Sequence, residues 1–240
     1  MTHEDAVRSR FAESADVVAA YAREQIEPLR ERLRVILSPL RGDETVIDAG
    51  TGPGTLALAL APLVGEVVGI DFVPELLEKA REVAPANVRF IEGDIMALPF
   101  EDFSFDLTCS RRTLHHVSRP ELAVSELARL ARPGNGRVFV EDQLAPMDPL
   151  AAFELDRFER RRDPSHTRTL SEGDLRDLFA ANGLVLLRNK RFTNHRTLDA
   201  YLDLAGCTGE DAERVKDLSP GDREHYDAEA GWYLCINRLG

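Results

Sequence analysis

Apolar positions recur along the chain in two rhythms, and the changes between them mark its elements. Between Thr2 and Leu40 the spacing is helical, with Leu29, Leu33, Ile36, Leu37 and Leu40 recurring among arginines, glutamates and alanines. Pro28 lacks the amide that a helix interior needs, so two helices are expected here, separated at that residue. From Thr45 onward, short apolar runs alternate with helical stretches. Strands are expected over Thr45 to Ala49, Glu66 to Asp71, Val88 to Glu92, Phe105 to Ser110 and Arg137 to Glu141. Helices are expected over Thr55 to Leu63, over Pro74 to Ala84, and from a Ser118–Glu121 capping box to Ala131. Such alternation predicts an α/β fold, a doubly wound and mostly parallel sheet covered on both faces.

After Asp142 the rhythm is lost. Residues 143–169 carry prolines and many charges and read as an irregular or helical insert. Ser171 and Asp174 then cap a helix that stops at Asn182-Gly183. Leu184 to Leu187 and Gly231 to Asn237 read as closing strands, with weakly helical sequence between Leu198 and Leu218. The 240 residues suit one domain. Within it, 1–40 form an N-terminal helical lid, 41–142 a cofactor-binding core, 143–170 a substrate-cap insert and 171–240 the closing helices and strands.

Charge narrows the partners. Acidic residues outnumber basic ones 42 to 30, a formal charge of −12. Such a surface repels phosphate backbones, so no nucleic-acid partner is expected. The basic cluster Arg157, Arg160, Arg161 and Arg162 is interleaved with acids and reads as a solvated helix face. Neither a signal peptide nor a membrane span is apparent. Cys109, Cys207 and Cys235 are odd in number, widely spaced and lack zinc-site spacing. They suggest free, buried thiols in a reducing cytoplasm, with no metal.

The chemistry centres on VIDAGTGPGT, Val46 to Thr55, where an apolar strand enters a glycine-rich turn that opens a helix. Gly50, Gly52 and Gly54 allow positive φ and a close approach of backbone to a ligand at the carboxyl edge of the sheet. Asp71 ends the next strand, about 20 residues on, where a carboxylate can accept hydrogen bonds from a ribose diol. The turn reads G-x-G-x-G, not the G-x-G-x-x-G of dinucleotide sites. Asp48, two residues before the first glycine, would sit badly beside a pyrophosphate but suits an ammonium group. S-adenosylmethionine carries an ammonium, a sulfonium and no phosphate.

This stretch resembles motif I of the class I S-adenosylmethionine-dependent methyltransferases. Further segments follow in the family's order: Ile70-Asp71, then Gly93-Asp94-Ile95-Met96-Ala97-Leu98-Pro99-Phe100, Phe105-Asp106-Leu107, Leu114-His115-His116 and Arg132-Pro133-Gly134. Phe11, Ala15 and Tyr21 are similar to the N-terminal pattern of the subgroup that includes the ubiquinone and menaquinone C-methyltransferases (methyltransferase type 11). Asn135 stands where a second glycine is usual, and asparagine tolerates the left-handed conformation of such a turn. The resemblance implies a seven-stranded sheet with an antiparallel last strand. It also implies S-adenosylmethionine bound by Asp48, Gly50, Thr51, Gly52, Gly54, Asp71, Phe72, Asp94, Ile95 and Ser110, with Asp94 at the adenine amino group.

Methyl transfer to a small-molecule acceptor, on oxygen or carbon and by direct displacement, is the expected reaction. Ser110-Arg111-Arg112-Thr113 replaces the Asn/Asp-Pro-Pro-aromatic segment that holds exocyclic amines, and so gives no platform for a flipped base. His115 and His116 are the candidate general bases, although a turn of this sequence also serves structure alone. Arg111, and behind it Arg112, are candidates for an acceptor carboxylate or phenolate. Phe11 and Tyr21 in the lid and His166 in the insert are further candidate acceptor contacts, with Phe153, Phe158 and Arg168. A monomer or a homodimer is compatible with all of this. Two other readings remain: a non-catalytic S-adenosylmethionine-binding protein, and a nicotinamide-dependent oxidoreductase.

Overall fold

The computed structural model describes residues 2–238; residues 1, 239 and 240, part of the expected 1–240 domain, lie outside it. Two helices, α1 (His3–Glu13) and α2 (Ala15–Ile36), precede the first strand. They part at Ser14, not at Pro28. The Ser14 hydroxyl donates to the Arg10 carbonyl and so competes with the helical ladder at that point. Pro28 lies inside α2 on its exposed face, where the carbonyl it cannot serve is open to water. The opposite face, with Ala19, Ala22, Leu29 and Leu33, is buried and keeps α2 continuous.

The alternation then proceeds as β1 (Thr45–Ala49), α3 (Thr55–Leu60), β2 (Glu66–Asp71), α4 (Pro74–Arg81), β3 (Val88–Glu92), β4 (Leu107–Arg111), α5 (Pro120–Leu130) and β5 (Arg137–Gln143). Ser118 does not cap α5. Pro120 keeps the preceding residue, Arg119, out of the helical conformation (φ −134°, ψ 76°), so the helix starts after Arg119, and the Ser118 hydroxyl points to Glu4 instead. The insert folds as α6 (Pro149–Arg162). There follow α7 (Glu172–Ala181), capped by Ser171 and Asp174 as expected, then β6 (Leu184–Thr197), α8 (Leu198–Asp203), α9 (Gly209–Lys216) and β7 (His225–Asn237). In the turn before β5 it is Gly134, at φ +79°, that takes the left-handed position expected of Asn135.

The seven strands lie in the order β3-β2-β1-β4-β5-β7-β6, with β7 antiparallel to both neighbours and the other pairings parallel. Neighbouring residues of β1 face opposite cores. Val46 packs with Leu33, Leu56 and Leu60 beneath α2 and α3, while Ile47 packs with Val124, Leu127 and Phe179 of α5 and α7. Both faces are therefore covered, and the carboxyl edge of the parallel strands is left to other elements.

β6 and β7 are much longer than their apolar segments suggest. They continue five residue pairs past the end of β5, from Thr193 opposite Glu229 to Thr197 opposite His225. Polar sequence can form this ribbon because each strand satisfies the other's backbone. Its overhang rises above the carboxyl edge, where Tyr201, Tyr226 and Leu198 pack with Phe158 of α6.

Candidate active site

A cavity of about 480 Å³ opens at the carboxyl edge between the glycine turn, α1, the amino-terminal half of α2, the segment after β4, the end of α6 and the hairpin overhang. It has two sides, one built around the glycine turn and one around the segment after β4.

On the first side, the turn is held from within. The Gly50 and Thr51 amides both donate to the Ile70 carbonyl at 2.8 Å, and Gly52 donates to Asp71 Oδ2 at 2.8 Å. Pro53 has no amide, and Gly54 donates to the Thr51 carbonyl. The amides from Gly50 to Gly54 thus serve the fold, and they form no anion nest of the kind a pyrophosphate requires. Gly54, at φ +84°, is off the cavity wall; a Cβ there would lie 2.9 Å from Phe90 and 3.1 Å from Ala80, so its smallness seats α3 on its neighbours. Gly50 is as tightly placed, since a Cβ would collide with the Thr113 side chain.

Asp48 is fully buried. Its Oδ2 accepts from the Thr51 hydroxyl at 2.7 Å and the Ala57 amide at 3.1 Å, while its Oδ1 has no partner. Burial pushes its carboxyl up to about 6, although Thr51, Ala57 and Arg111 oppose the shift. Asp71 accepts from Gly52 and, through Oδ1, from the Val73 amide, and burial raises its pKa as well. Thr51, Gly52, Phe72, Asp94 and Ile95 complete this side. Asp94 is exposed at the rim, one oxygen taken by the Met96 amide at 2.8 Å. Ser110 differs from expectation: it is buried off the cavity wall, at 1% exposure, with its hydroxyl unpaired.

On the second side His115 reaches the wall. Its Nδ1 lies 2.5 Å from Asp142 Oδ1, and no described residue pairs with its Nε2. Asp142 also accepts from the Leu114 and Gln143 amides at 2.8 Å, so its carboxylate is fixed from three directions. Burial would raise the Asp142 pKa, but the His115 imidazole and the Gln143 amide hold it below the ordinary range. His116 is engaged differently. Its Nδ1 sits 3.0 Å from the Ser165 hydroxyl and 3.1 Å from the Ser165 carbonyl, and its ring meets Phe11 edge-on. Burial, then the neighbouring His115, keep its pKa well below the usual histidine value.

Arg111 is largely buried, with its Nε 2.8 Å from Glu141, a carboxylate shared with Arg32. Burial and the adjacent Arg112 lower its pKa to about 10. Phe11 and Tyr21 line the cavity. His166 does not. It is buried behind the wall, with its Nε2 3.0 Å from Asp156, because the Asp163–His166 turn folds inward under α6. Phe158 belongs to the core beneath the hairpin, while Phe153 and Arg168 are exposed away from the cavity. Of the basic cluster in α6, Arg162 is buried against Glu159 and reaches the wall.

Residues outside the sequence expectations complete this side: Arg10, Gln143, Arg162, Asp163, Arg196 and Tyr201 on the wall, and Asp142 behind His115. Arg10 pairs with Asp163 at 3.0 Å and tethers α1 to the end of α6. His3 Nε2 lies 2.7 Å from the His116 carbonyl and adds a second tether. No local motif marks these positions, since they come together only where α1, the end of β5, α6, β6 and α8 meet.

Among the described residues there is no helix long and apolar enough to cross a membrane, and no group of metal-ligating side chains. The three cysteines are free and buried.

Residues 47–140 match the family model of the methyltransferase domain. Uncharacterized methyltransferase YcgJ of Bacillus subtilis is 33% identical over 208 residues, spanning 85% of this chain and 80% of YcgJ. A demethylmenaquinone methyltransferase of Thermus thermophilus is 38% identical over 133 residues, 53% of this chain and 59% of that protein. The crystal structure of YcgJ superimposes with a TM-score of 0.82, covering 88% of this chain and 99% of that one at 28% identity. With this fold, this motif order and a relative aligned over most of both chains, the chain belongs to the S-adenosylmethionine-dependent methyltransferase family.

Proposed function

We propose that the protein transfers a methyl group from S-adenosylmethionine to a small-molecule acceptor, on oxygen or carbon, with His115 as the general base. The observation that carries this is one continuous cavity lined both by Asp48, with its unpaired buried oxygen, and by His115, which Asp142 holds from behind.

The residues present fit the cofactor. Asp48 Oδ1 is a buried acceptor awaiting a donor, as an ammonium would provide. Asp71 retains lone pairs toward the cavity for a ribose diol, and Asp94 has a free oxygen at the rim for an amino group. The turn's committed amides suit a ligand without phosphate. When bound, S-adenosylmethionine supplies a sulfonium methyl open to direct displacement by the acceptor.

The chain's own work is positioning, exclusion of water and removal of a proton. Asp142 fixes His115 as the tautomer with hydrogen on Nδ1, leaving the Nε2 lone pair toward the cavity. His116, bound to Ser165 and flanked by Phe11, serves to join turn, insert and lid. The lid, tethered through Arg10–Asp163, shields the site from solvent.

Calorimetric titration with S-adenosylmethionine, S-adenosylhomocysteine and NADH tests the reading. Binding of the first two and not of NADH is expected; binding of NADH alone would overturn it. A protein that binds both adenosyl ligands but methylates no phenol, quinone or carboxylate is the non-catalytic alternative.

Asp48 also predicts a pH dependence. Its ionised form is the one that attracts an ammonium. Affinity for S-adenosylhomocysteine is therefore expected to level off above pH 6 and to fall below it, approaching about tenfold per pH unit. Asp48→Asn should flatten this profile between pH 5 and 7, and an unaltered profile would place the ammonium elsewhere. The effect on folding has the opposite sign. The unfolded chain ionises this carboxyl first, so its burial costs stability progressively as pH rises from about 4 to 6.

A further inference from the structure

We infer that the acceptor carries an anionic group, a carboxylate or a phosphate, and that Arg112 and Arg196 grip it. This rests on the methyltransferase reading above and adds the substrate class.

The first argument is local charge balance. The chain is acidic overall, yet five arginines reach the second side of the cavity: Arg10, Arg111, Arg112, Arg162 and Arg196. Three have buried carboxylate partners, Arg10 with Asp163 at 3.0 Å, Arg111 with Glu141 at 2.8 Å and Arg162 with Glu159 at 2.9 Å. Among the described residues, neither Arg112 nor Arg196 has a carboxylate within ion-pair distance. A guanidinium at a partly desolvated wall gains strongly from an oxyanion, which accepts its forked donors in pairs. Here the protein supplies no such acceptor to these two.

The second argument is convergence. Both arginines line the same cavity as Tyr21, and both act electrostatically on its phenol. Burial opposes ionisation of Tyr21, yet these arginines and Arg111 hold its pKa below the ordinary tyrosine value. Their positive charge therefore converges on one place in the cavity wall, at Tyr21.

The third argument is that both positions are prepared. Arg112 has φ +53°, a conformation rare outside glycine, and its amide donates to the Glu141 carbonyl at 2.8 Å. Strain of this kind persists where surroundings enforce it, and it gathers at functional sites. Arg196 lies on the hairpin overhang with its guanidinium 4.5 Å from the centre of the Tyr201 ring. Tyr201 is fixed in turn by Gln143 and Glu159, both at 2.9 Å. The overhang and its stacking partner thus carry a cation to the side of the cavity where His115 presents Nε2.

The test titrates protein saturated with S-adenosylhomocysteine against benzoate, phenyl phosphate and neutral benzamide. At least one anion is expected to bind about tenfold or more tightly than benzamide, and the tighter of the two identifies the group. Arg112→Met and Arg196→Met should each weaken that anion by about tenfold while affinity for S-adenosylhomocysteine stays the same. Benzamide binding as tightly as both anions overturns the proposal, as does binding of neither anion. Loss of S-adenosylhomocysteine affinity in the variants also overturns it, assigning the arginines to the cofactor's own carboxylate. The comparison of benzoate with benzamide uses only the natural chain, so it stands even if a variant folds poorly. Wild-type protein that binds no S-adenosylhomocysteine removes the methyltransferase reading itself, an outcome separate from these.

Discussion

Replacing His115 by alanine is expected to lower kcat by about 10²- to 10⁴-fold while leaving affinity for S-adenosylhomocysteine unchanged. Among the described residues His115 is distinguished from His116 beside it by a carboxylate, Asp142, at its Nδ1, with no described partner at its Nε2. Asp142 acts through His115, so Asp142→Asn should lose much of the same factor with KM for S-adenosylmethionine preserved. An amide at that position cannot accept from the Leu114 and Gln143 amides and from the ring as a carboxylate does. His116→Ala should instead loosen the contact with the insert, because its Nδ1 is occupied by Ser165. The assay is formation of S-adenosylhomocysteine over a panel of phenols, quinones and carboxylates, using whichever acceptor the natural protein turns over. Full activity of His115→Ala would reduce the mechanism to proximity and exclusion of water.

Asp71→Ala is expected to weaken S-adenosylhomocysteine binding by about 10- to 150-fold, the equivalent of about 1.5–3 kcal/mol for hydrogen bonds to a charged group. The position of Asp71 argues for the upper part of that range. Both its oxygens already accept backbone amides, from Gly52 and Val73, so alanine removes the acceptor for a ribose and also releases the turn that would face it. The variant should also melt at a lower temperature, since two amides in a buried setting lose their partner. Asp71→Asn keeps one carbonyl oxygen and should fall between. Calorimetry alongside thermal melting separates the two effects. Unchanged affinity in Asp71→Ala would place the ribose elsewhere.

The sheet of five parallel strands was legible because a strand covered on both faces reads as a continuous apolar run, and β1, β2 and β3 have the bounds that pattern gives. The errors have local causes. Pro28 suggests a break only if its missing hydrogen bond is costly, and on an exposed face it is not. The Ser118–Glu121 spacing suggests a cap, but Pro120 between them fixes the helix start one residue later. The hairpin overhang was illegible because residues from Arg188 to Thr197 are mostly polar, and their strand exists only by pairing with β7.

The site divides along the same line. Val46 to Thr55, Asp71 and Asp94 lie within one contiguous βαβαβ stretch, where spacing in sequence is nearly spacing in space, so the chain alone made the glycine-turn side of the cavity and the family legible. The side proposed to take the acceptor is assembled from α1, the end of β5, α6, β6 and α8. Asp142 meets His115, Asp163 meets Arg10, and Arg196 reaches the cavity through contacts spanning dozens of residues. Their roles follow from burial and from which charges are already paired. Arg111 and Arg112 are adjacent in the chain and alike in chemistry, yet only the tertiary structure gives Arg111 a buried glutamate and leaves Arg112 facing the cavity without one. Local pattern fixes what depends on neighbours along the chain, while desolvation and charge pairing depend on neighbours in space.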